Sequence, residues 1–464
     1  MGLSAGVLPS PCGGRVDGSA EEEGVSPGGR TGRPENGLAA RHAALQALDC
    51  VLSHRQSLDT SLEQILGRAG LAPRDRAFAY KLTTSVLRRL GQIDDLIDDC
   101  LAKPIPARLS PVRDILRLGI VQLLFLATPP HAAVNTTVGL ARSLRYAGQA
   151  PMVNAVLRRL VREGAERLAR QDAARLNTPE WLWHSWVAAH GEALARAIAT
   201  VHLAEPPLDL TVKPDAHGGR IASELGAVRL PTGSLRLTHA GAVSALAGFD
   251  TGEWWVQDAG AALPARLLGD VAGRLVFDLC AAPGGKTAQL AASGARVVAV
   301  DRAPARLVRL KENLQRLSLN AEIIEADVAA WQPQALADAV LLDAPCSSTG
   351  TIRRHPDVAR LKSPSEISAL AGVQRRLLAA AARLVRPGGL LVYCVCSLQP
   401  EEGASVVDSL LAEGLPMERV PVFSTEFGGW EEFLTTAGDL RTLPCHFGDA
   451  GGIDGFFACR LRRI

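Results

Sequence analysis

Two of the nine cysteines stand where side chains can do chemistry. One lies in Asp343-Ala344-Pro345-Cys346-Ser347-Ser348-Thr349-Gly350, directly after the apolar run Val340–Leu342. The other lies in Tyr393-Cys394-Val395-Cys396-Ser397, which closes a second apolar run beginning at Leu390. Short apolar runs bounded by Pro, Gly and Ser read as β-strands, so thiols arrive at the ends of two strands. Cysteine most often behaves as a small buried hydrophobe. Beside polar residues at a strand terminus, however, it occupies the place where an α/β sheet collects its functional groups.

A third strand end lies upstream. Val276-Phe277-Asp278-Leu279-Cys280-Ala281-Ala282-Pro283-Gly284-Gly285-Lys286 is an apolar run ending in a tight loop, and Thr287–Ala292 has helical character. Strand, loop and helix in this order open a nucleotide-binding α/β unit. The glycines allow close approach to the backbone, and the helix start offers free N–H groups and a positive dipole end. Gly285-Lys286-Thr287 resembles the tail of a phosphate-binding P-loop, but position 280 is Cys where that motif needs Gly. The loop alone therefore points to an adenosine-like cofactor or to an ordinary strand–helix turn. Asp301 closes the next strand and suits ribose hydroxyls, or else caps the helix from Pro304. Asp327 follows the third strand and suits an adenine edge, or else is a solvated loop residue.

Thiols beside such a cofactor suit one reaction in particular. Carbon 5 of cytosine is a poor nucleophile, and a thiolate adding to C6 makes C5 carbanion-like toward an electrophilic methyl group. A free thiol is mostly protonated at neutral pH, so basic groups must activate it; Lys286 and Arg353-Arg354 are the candidates. Asp343 could hydrogen-bond or protonate N3 of the ring, and a base must later take the C5 proton.

Positioning these residues takes a regular alternation from about Trp254 onward. Strands are expected at Val276–Leu279, Val297–Val300, Ile323–Ile324, Val340–Leu342 and Leu390–Tyr393. Helices are expected between them, notably Pro304–Leu317 and Ser365–Val385. The pattern is a parallel sheet with helices on both faces. Residues 166–250 read as a small α/β connector. In it, Trp181, Trp183 and Trp186 lie on a helix starting near Thr178-Pro179, as core or as base-stacking platforms, and Leu208–Val212 forms a strand. Residues 37–165 read as all-helical, with Leu45, Leu48 and Val51 on one face and Leu82, Val86 and Leu90 on another. Between Gly37 and Gly164 there are 17 Lys/Arg against 10 Asp/Glu. That local excess suits a phosphate backbone, or is a solvated surface. Residues 1–36, rich in Gly, Pro and Ser, are expected to be a disordered tail.

The whole-chain charge of +2 is too balanced to indicate nucleic acid by itself. The cysteines form neither a disulfide framework nor a paired zinc spacing, so a reduced, cytoplasmic protein without a metal is expected. No apolar run is long enough for a membrane span, and no secretion signal is expected.

These motifs together resemble the RNA cytosine-5 methyltransferases. The resemblance rests on Cys280–Lys286, Asp343–Gly350 with Arg353-Arg354-His355-Pro356-Asp357, Cys396-Ser397 with Pro400-Glu401-Glu402, and Asp454-Gly455-Phe456-Phe457. The helical module resembles the antitermination factor NusB, most clearly at Val153-Asn154-Ala155-Val156-Leu157-Arg158-Arg159. The combination, over about residues 37–464, is similar to the RsmB (Sun/Fmu) family, which methylates small-subunit ribosomal RNA. That resemblance implies a Rossmann-like methyltransferase domain at 251–464 that depends on S-adenosyl-L-methionine, after a NusB-like RNA-binding domain. It implies a cofactor site of Cys280, Ala281, Ala282, Pro283, Gly284, Gly285, Lys286, Asp301, Arg306, Asp327 and Asp343. It makes Cys396 the nucleophile and Cys346 the group that assists product release, with Asp343 at the target base and Lys286 in the catalytic set. The implied substrate is a cytosine of 16S ribosomal RNA, and the enzyme is expected to be a monomer. The same chemistry on transfer RNA, or a non-catalytic RNA-binding assembly factor, are the alternatives. An amino-group methyltransferase would want Asn/Asp-Pro-Pro-aromatic where Asp343-Ala344-Pro345-Cys346 stands. One departure is Cys394, at a position usually held by a small residue. If the strand ends between Cys394 and Cys396, the two thiols face opposite ways; if it continues, they share a face.

Overall fold

The computed structural model describes residues 37–464 except 215 and 239; the expected tail, 1–36, lies outside them. The described chain divides into two compact units, one of residues 37–87 and 93–169, the other of 88–92 and 170–464.

The first unit is helical. Its helices include Leu38–Leu52, Pro73–Arg88, Ser110–Leu124, Pro130–Ser143 and Ala150–Arg170. The expected faces pack inward: Leu48, Val51, Leu82, Val86, Ile115 and Leu118 are buried. Gly119 is required by close packing, since a Cβ there would lie 2.9 Å from both Leu157 and Thr137. Gln122 is buried yet satisfied: it accepts from Arg41 Nε at 2.8 Å and donates to the Leu118 carbonyl at 2.7 Å. On the last helix Val153, Val156 and Leu157 are buried, and Arg158 and Arg162 are exposed.

The second unit begins with short helices and a four-stranded antiparallel sheet of β1 (Leu208–Val212), β2 (Val228–Arg229), β3 (Leu235–Leu237) and β4 (Trp254–Val256), ordered β2-β3-β1-β4. The fourth strand lies past residue 250, where the connector was expected to end. Trp183 and Trp186, on the helix Glu180–His190, are buried against Leu182, Ile198 and Leu398. Trp186 Nε1 donates to Gln399 Oε1 at 3.2 Å. Both are core residues, the bland option for this helix.

The large sheet follows. Its strands are β5 (Leu275–Leu279), β6 (Arg296–Asp301), β7 (Glu322–Glu325), β8 (Ala337–Asp343), β9 (Val385–Val395), β10 (Met417–Arg419), β11 (Leu440–Arg441) and β12 (Phe457–Arg463). The order is β10-β12-β9-β8-β5-β6-β7, with β11 also paired to β12. Strands β5 to β9 are parallel, as the alternation predicts. The sheet as a whole is mixed, because β12 runs antiparallel to β9 and β10 antiparallel to β12. The closing segment had no helix before it to signal a crossover, and a hairpin-like return gives an antiparallel neighbour. Successive residues feed opposite faces: Phe277, Val340 and Leu342 pack in one cluster, Val276, Leu341 and Val392 in the other. The helices Pro304–Arg316 and Pro364–Leu384 match their expected spans to within a residue. Among the described residues, no helix is long and apolar enough to cross a membrane.

The chain moves outward from β5 through β6 to β7, then returns to lay β8 on the other side of β5. That reversal opens a crevice at the carboxyl ends of β5 and β8.

Candidate active site

Cys280, Asp301, Asp343, Cys346 and Cys396 lie at or just past strand ends, while Lys286 and Arg306 are carried by the helices that follow β5 and β6. The first loop leaves β5 through Cys280, a non-glycine in the left-handed region at φ 59°. Gly284 then takes φ 100°, and a Cβ there would meet the Leu310 side chain at 2.9 Å, so glycine is required twice over. The loop is fastened to the next strand by Asp301, which is buried: its Oδ2 accepts the Ala282 N–H at 3.1 Å and its Oδ1 the Ala303 N–H at 2.9 Å. The helix cap of Pro304–Arg316 is Ala303, so Asp301 is not the N-cap. Arg306 donates to the Ala282 carbonyl and lies 3.5 Å from Asp301.

These groups border a cavity of about 140 Å³. Cys280, Asp301, Arg306 and Asp327 line it, with Val328 and Leu377 as apolar walls. Two carboxylates with apolar walls suit an adenosine, the acids meeting hydroxyl and amino donors and the walls meeting ring faces. Asp278, at the end of β5, adds a fully buried Oδ1 that has no partner. Its other oxygen accepts from Thr287 Oγ1 at 2.5 Å. Burial, opposed by the Thr287 hydrogen bond and helped by Asp343, pushes its carboxyl up to about 7. The residues present therefore fit the S-adenosylmethionine that the motifs imply.

Lys286 and Asp343 lie outside that cavity's lining and form a pair. Lys286 Nζ donates to Asp343 Oδ2 at 2.7 Å and sits 5.0 Å from the Phe456 ring centre. Burial works to lower the ammonium's pKa, but Asp343, Cys394 and Cys396 outweigh it and hold the lysine charged. Lys286 thus places a fixed positive charge near two sulfurs and a carboxylate.

The thiols occupy the next two strand ends. Cys346 Sγ and Cys396 Sγ are 3.4 Å apart, and Cys396 Sγ lies 3.5 Å from Ser348 Oγ. Ser348 is the second non-glycine held left-handed at this rim, at φ 60°. Two thiols this close cannot both ionise. Contact with the Cys346 S–H, with Ser348 and Lys286 also contributing, brings Cys396 below its ordinary value against the opposing effect of burial. The same contact, with burial, pushes Cys346 up.

Strand β9 ends at Val395, between the other two sulfurs, so Cys394 and Cys396 diverge. Cys394 is fully buried, pairs in register with Asp343, and has its Sγ 3.5 Å from Asp343 Oδ1. Burial, then Asp343, raises its pKa well above the ordinary range. Of the two, Cys394 has its pKa raised and Cys396 has its pKa lowered.

Arg353 does not serve as the thiol's activator. It is fully buried and paired to Asp258 and Asp454, the latter at 3.0 Å. Arg354 binds the other Asp454 oxygen, with Nε at 2.7 Å. Two carboxylates pair with the arginines, Arg354 still acting electrostatically with Cys396, and pin Asp454-Gly455-Phe456 beside Gly350, whose carbonyl accepts the Gly455 N–H at 2.8 Å. Sequence reading named these residues as a pattern but gave no role to Asp258, Glu402 or Phe456. Arg302 and Arg376, which also line the cavity, carried no signal at all.

Comparison with known proteins agrees with this geometry. A family model described as 16S rRNA methyltransferase RsmB/F matches residues 265–462, and the NusB family model matches 38–162. Ribosomal RNA small subunit methyltransferase B of Sodalis glossinidius is 38% identical over 390 residues, covering 80% of this chain and 89% of the relative. The protein of the same name from Pseudomonas putida is 37% identical, covering 91% of this chain and 98% of the relative. The solved structure of a methyltransferase homolog protein from Pyrococcus horikoshii superposes with a TM-score of 0.51 at 28% identity, over 61% of this chain and 94% of that one.

Proposed function

The chain belongs to the ribosomal RNA small subunit methyltransferase B family, an S-adenosylmethionine-dependent family of RNA methyltransferases, and from that premise we propose that it methylates carbon 5 of a cytosine in 16S ribosomal RNA through a covalent adduct on Cys396. The observation that carries this reading is the pair of thiols 3.4 Å apart, beside a buried Lys286–Asp343 ion pair, at the strand ends next to the cofactor cavity.

When bound, S-adenosylmethionine supplies an electrophilic methyl group. Cys280–Lys286, Asp301, Arg306 and Asp327 would hold it, together with Asp343. Cys396, ionised with the help of Lys286, adds to C6 of the cytosine, and the S–C6 bond places electron density at C5. The proton that Cys396 gives up is carried by Asp343 to N3, and a protonated N3 draws electrons from C6. Once C5 carries the methyl, a base takes the C5 proton, the C5=C6 bond reforms and the Cys396 thiolate leaves; Cys346 assists this release. A base stacked in a duplex cannot reach these groups, so the target is single-stranded or flipped out. The helical domain, with Arg158 and Arg162 exposed, binds flanking phosphates. The reading has the enzyme working in the cytoplasm on ribosomal rather than transfer RNA, because its NusB-like domain is shared with the ribosomal relatives.

The test is bisulfite mapping of ribosomal and transfer RNA from cells lacking the protein, with purified Cys396→Ala and Cys346→Ala. One 16S cytosine loses its methyl, Cys396→Ala transfers none, and Cys346→Ala accumulates a covalent enzyme–RNA complex. Unchanged 16S methylation, or a complex that survives in Cys396→Ala and not in Cys394→Ala, overturns it.

A further inference from the structure

Each reactive cysteine is followed by a serine, and both serines turn to the same buried acid. Ser347, Ser397 and Glu402 are all fully buried. Glu402 Oε2 accepts from Ser397 Oγ at 2.5 Å and from Ser347 Oγ. Its Oε1 accepts the Ser347 backbone N–H at 2.8 Å and Gln374 Nε2 at 3.1 Å. The two serine hydroxyls are 3.1 Å apart.

The fastening reaches both sides of each thiol. Gln374 Nε2 also donates to the Pro345 carbonyl at 2.9 Å, so the Glu402–Gln374 pair holds the residue before Cys346 as well as the residue after it. Tyr393 donates to the Glu402 carbonyl at 2.5 Å, so the strand leading to Cys396 and the serine following it are tied to the same residue. A carboxylate this deeply buried is costly unless its oxygens are filled, and charge-assisted bonds to several donors fill them. An apolar side chain would occupy the space without that cost but could not join the two loops.

We propose that Glu402 is a positioning residue that clamps the Cys346 and Cys396 loops at the spacing needed for Cys346 to act on the adduct formed by Cys396. The proposal rests on the two-thiol reading given above. Electrostatics point the same way. Cys346 is pushed up first by its contact with Cys396, then by burial, and Glu402 adds to the effect. The same carboxylate that sets the spacing thereby favours the protonated form of Cys346 beside an ionised Cys396.

The experiment measures spacing and partition separately. Diamide takes two electrons and two protons from a pair of thiols; one S–S bond forms and its N=N bond becomes a hydrazine. Closure of the Cys346–Cys396 disulfide, followed by tandem mass spectrometry that separates Cys396 from Cys394, reports the distance between the loops. Glu402→Gln is expected to close at least tenfold more slowly than the wild type. The double variant Ser347→Ala with Ser397→Ala is expected to do the same, and the triple variant to be no slower than either. With 16S RNA and S-adenosylmethionine, Glu402→Gln is expected to form the covalent complex and release it slowly, so that complex accumulates. Binding of S-adenosylhomocysteine, whose cavity does not include Glu402, is expected to stay within twofold and reports that the fold is intact. Closure within twofold of the wild type, with no accumulation, overturns the proposal. If Glu402→Gln does not bind S-adenosylhomocysteine, the serine double variant decides on the same two readouts. Failure of the underlying reading looks different: Cys346→Ala then accumulates no complex, whatever the disulfide kinetics show.

Discussion

Replacing Asp343 with asparagine should move two reactions of the same site in opposite directions. Asp343 and Lys286 are 2.7 Å apart, with side chains 31% and 9% exposed. At an effective dielectric of about 20, unit charges at that distance attract by about 6 kcal/mol before desolvation. Removing one partner of a buried pair costs about 3–5 kcal/mol because the other charge is stranded. In Asp343→Asn the stranded charge is the Lys286 ammonium, and the anion within its reach is the Cys396 thiolate. A pKa unit corresponds to about 1.4 kcal/mol. If only a third of the stranding energy is recovered by a lysine–thiolate pair, the Cys396 pKa falls by about one unit. Loss of the Asp343 charge, which itself raises Cys396, acts in the same direction. Below the thiol's pKa, alkylation of Cys396 by iodoacetamide should therefore speed up about tenfold. Methyl transfer should slow, by about 10² or more, because the group that assists at N3 is gone. Alkylation is read by mass spectrometry across a pH series, and methylation from labelled S-adenosylmethionine at saturating donor on a 16S fragment. Slower or unchanged alkylation would show that Asp343 does not hold Lys286 away from the thiol. Methylation that rises together with alkylation would remove Asp343 from the base-binding role.

Three further outcomes follow from the same geometry. The methylation rate should rise with pH as Cys396 ionises, and because Lys286 helps lower that pKa, Lys286→Met should move the rising limb to higher pH; a limb that stays in place refutes the lysine's part. Arg353→Met leaves Asp258 and Asp454 buried without their shared cation, so it should cost about 3–5 kcal/mol in urea unfolding, and a loss under 1 kcal/mol would show the pair to be incidental. Gly350→Ala would put a Cβ 1.9 Å from the Gly455 carbonyl oxygen; it should destabilise the protein by about 1–3 kcal/mol or more, and full thermal stability would mean that the Asp454–Phe456 segment moves freely.

The parallel strands, their helices and the two thiol-bearing loops were legible because each is local: a run of apolar residues, a turn, a periodic face. Cys346 and Cys396 were legible as a pair because both follow strands that the topology sets side by side. The antiparallel return of β12 was not, because Phe457–Arg463 carries alternating Arg residues and no crossover helix to announce its direction. Arg353 is the instructive misreading. In sequence it is a cation beside a thiol motif; in the fold it is neutralised by Asp258, 95 positions upstream, and Asp454, 101 positions downstream. Spacing reveals what a residue type is able to do, but the partner that cancels it comes from tertiary contact.

Cys394 shows the converse, where a local rule needed only one structural fact to become decisive. The side chains of a strand alternate, so the two thiols share a face or oppose according to where β9 stops. It stops at Val395. Up to that residue the strand is committed to the sheet core, and Cys394 joins the cluster with Val276, Leu341 and Val392. Beyond it the backbone is free to turn, and Ser397 and Gly350 capture it: the Gly350 N–H binds the Cys396 carbonyl at 3.0 Å, and Ser397 binds Glu402. The proposed nucleophile is thus set apart from its neighbour by strand termination and by the hydrogen bonds that take over there, rather than by any difference in the residue itself. Were the strand to continue through Cys396, the two sulfurs would share a face, which is why the anchoring of the segment after Val395 matters as much to this chemistry as the thiol it carries.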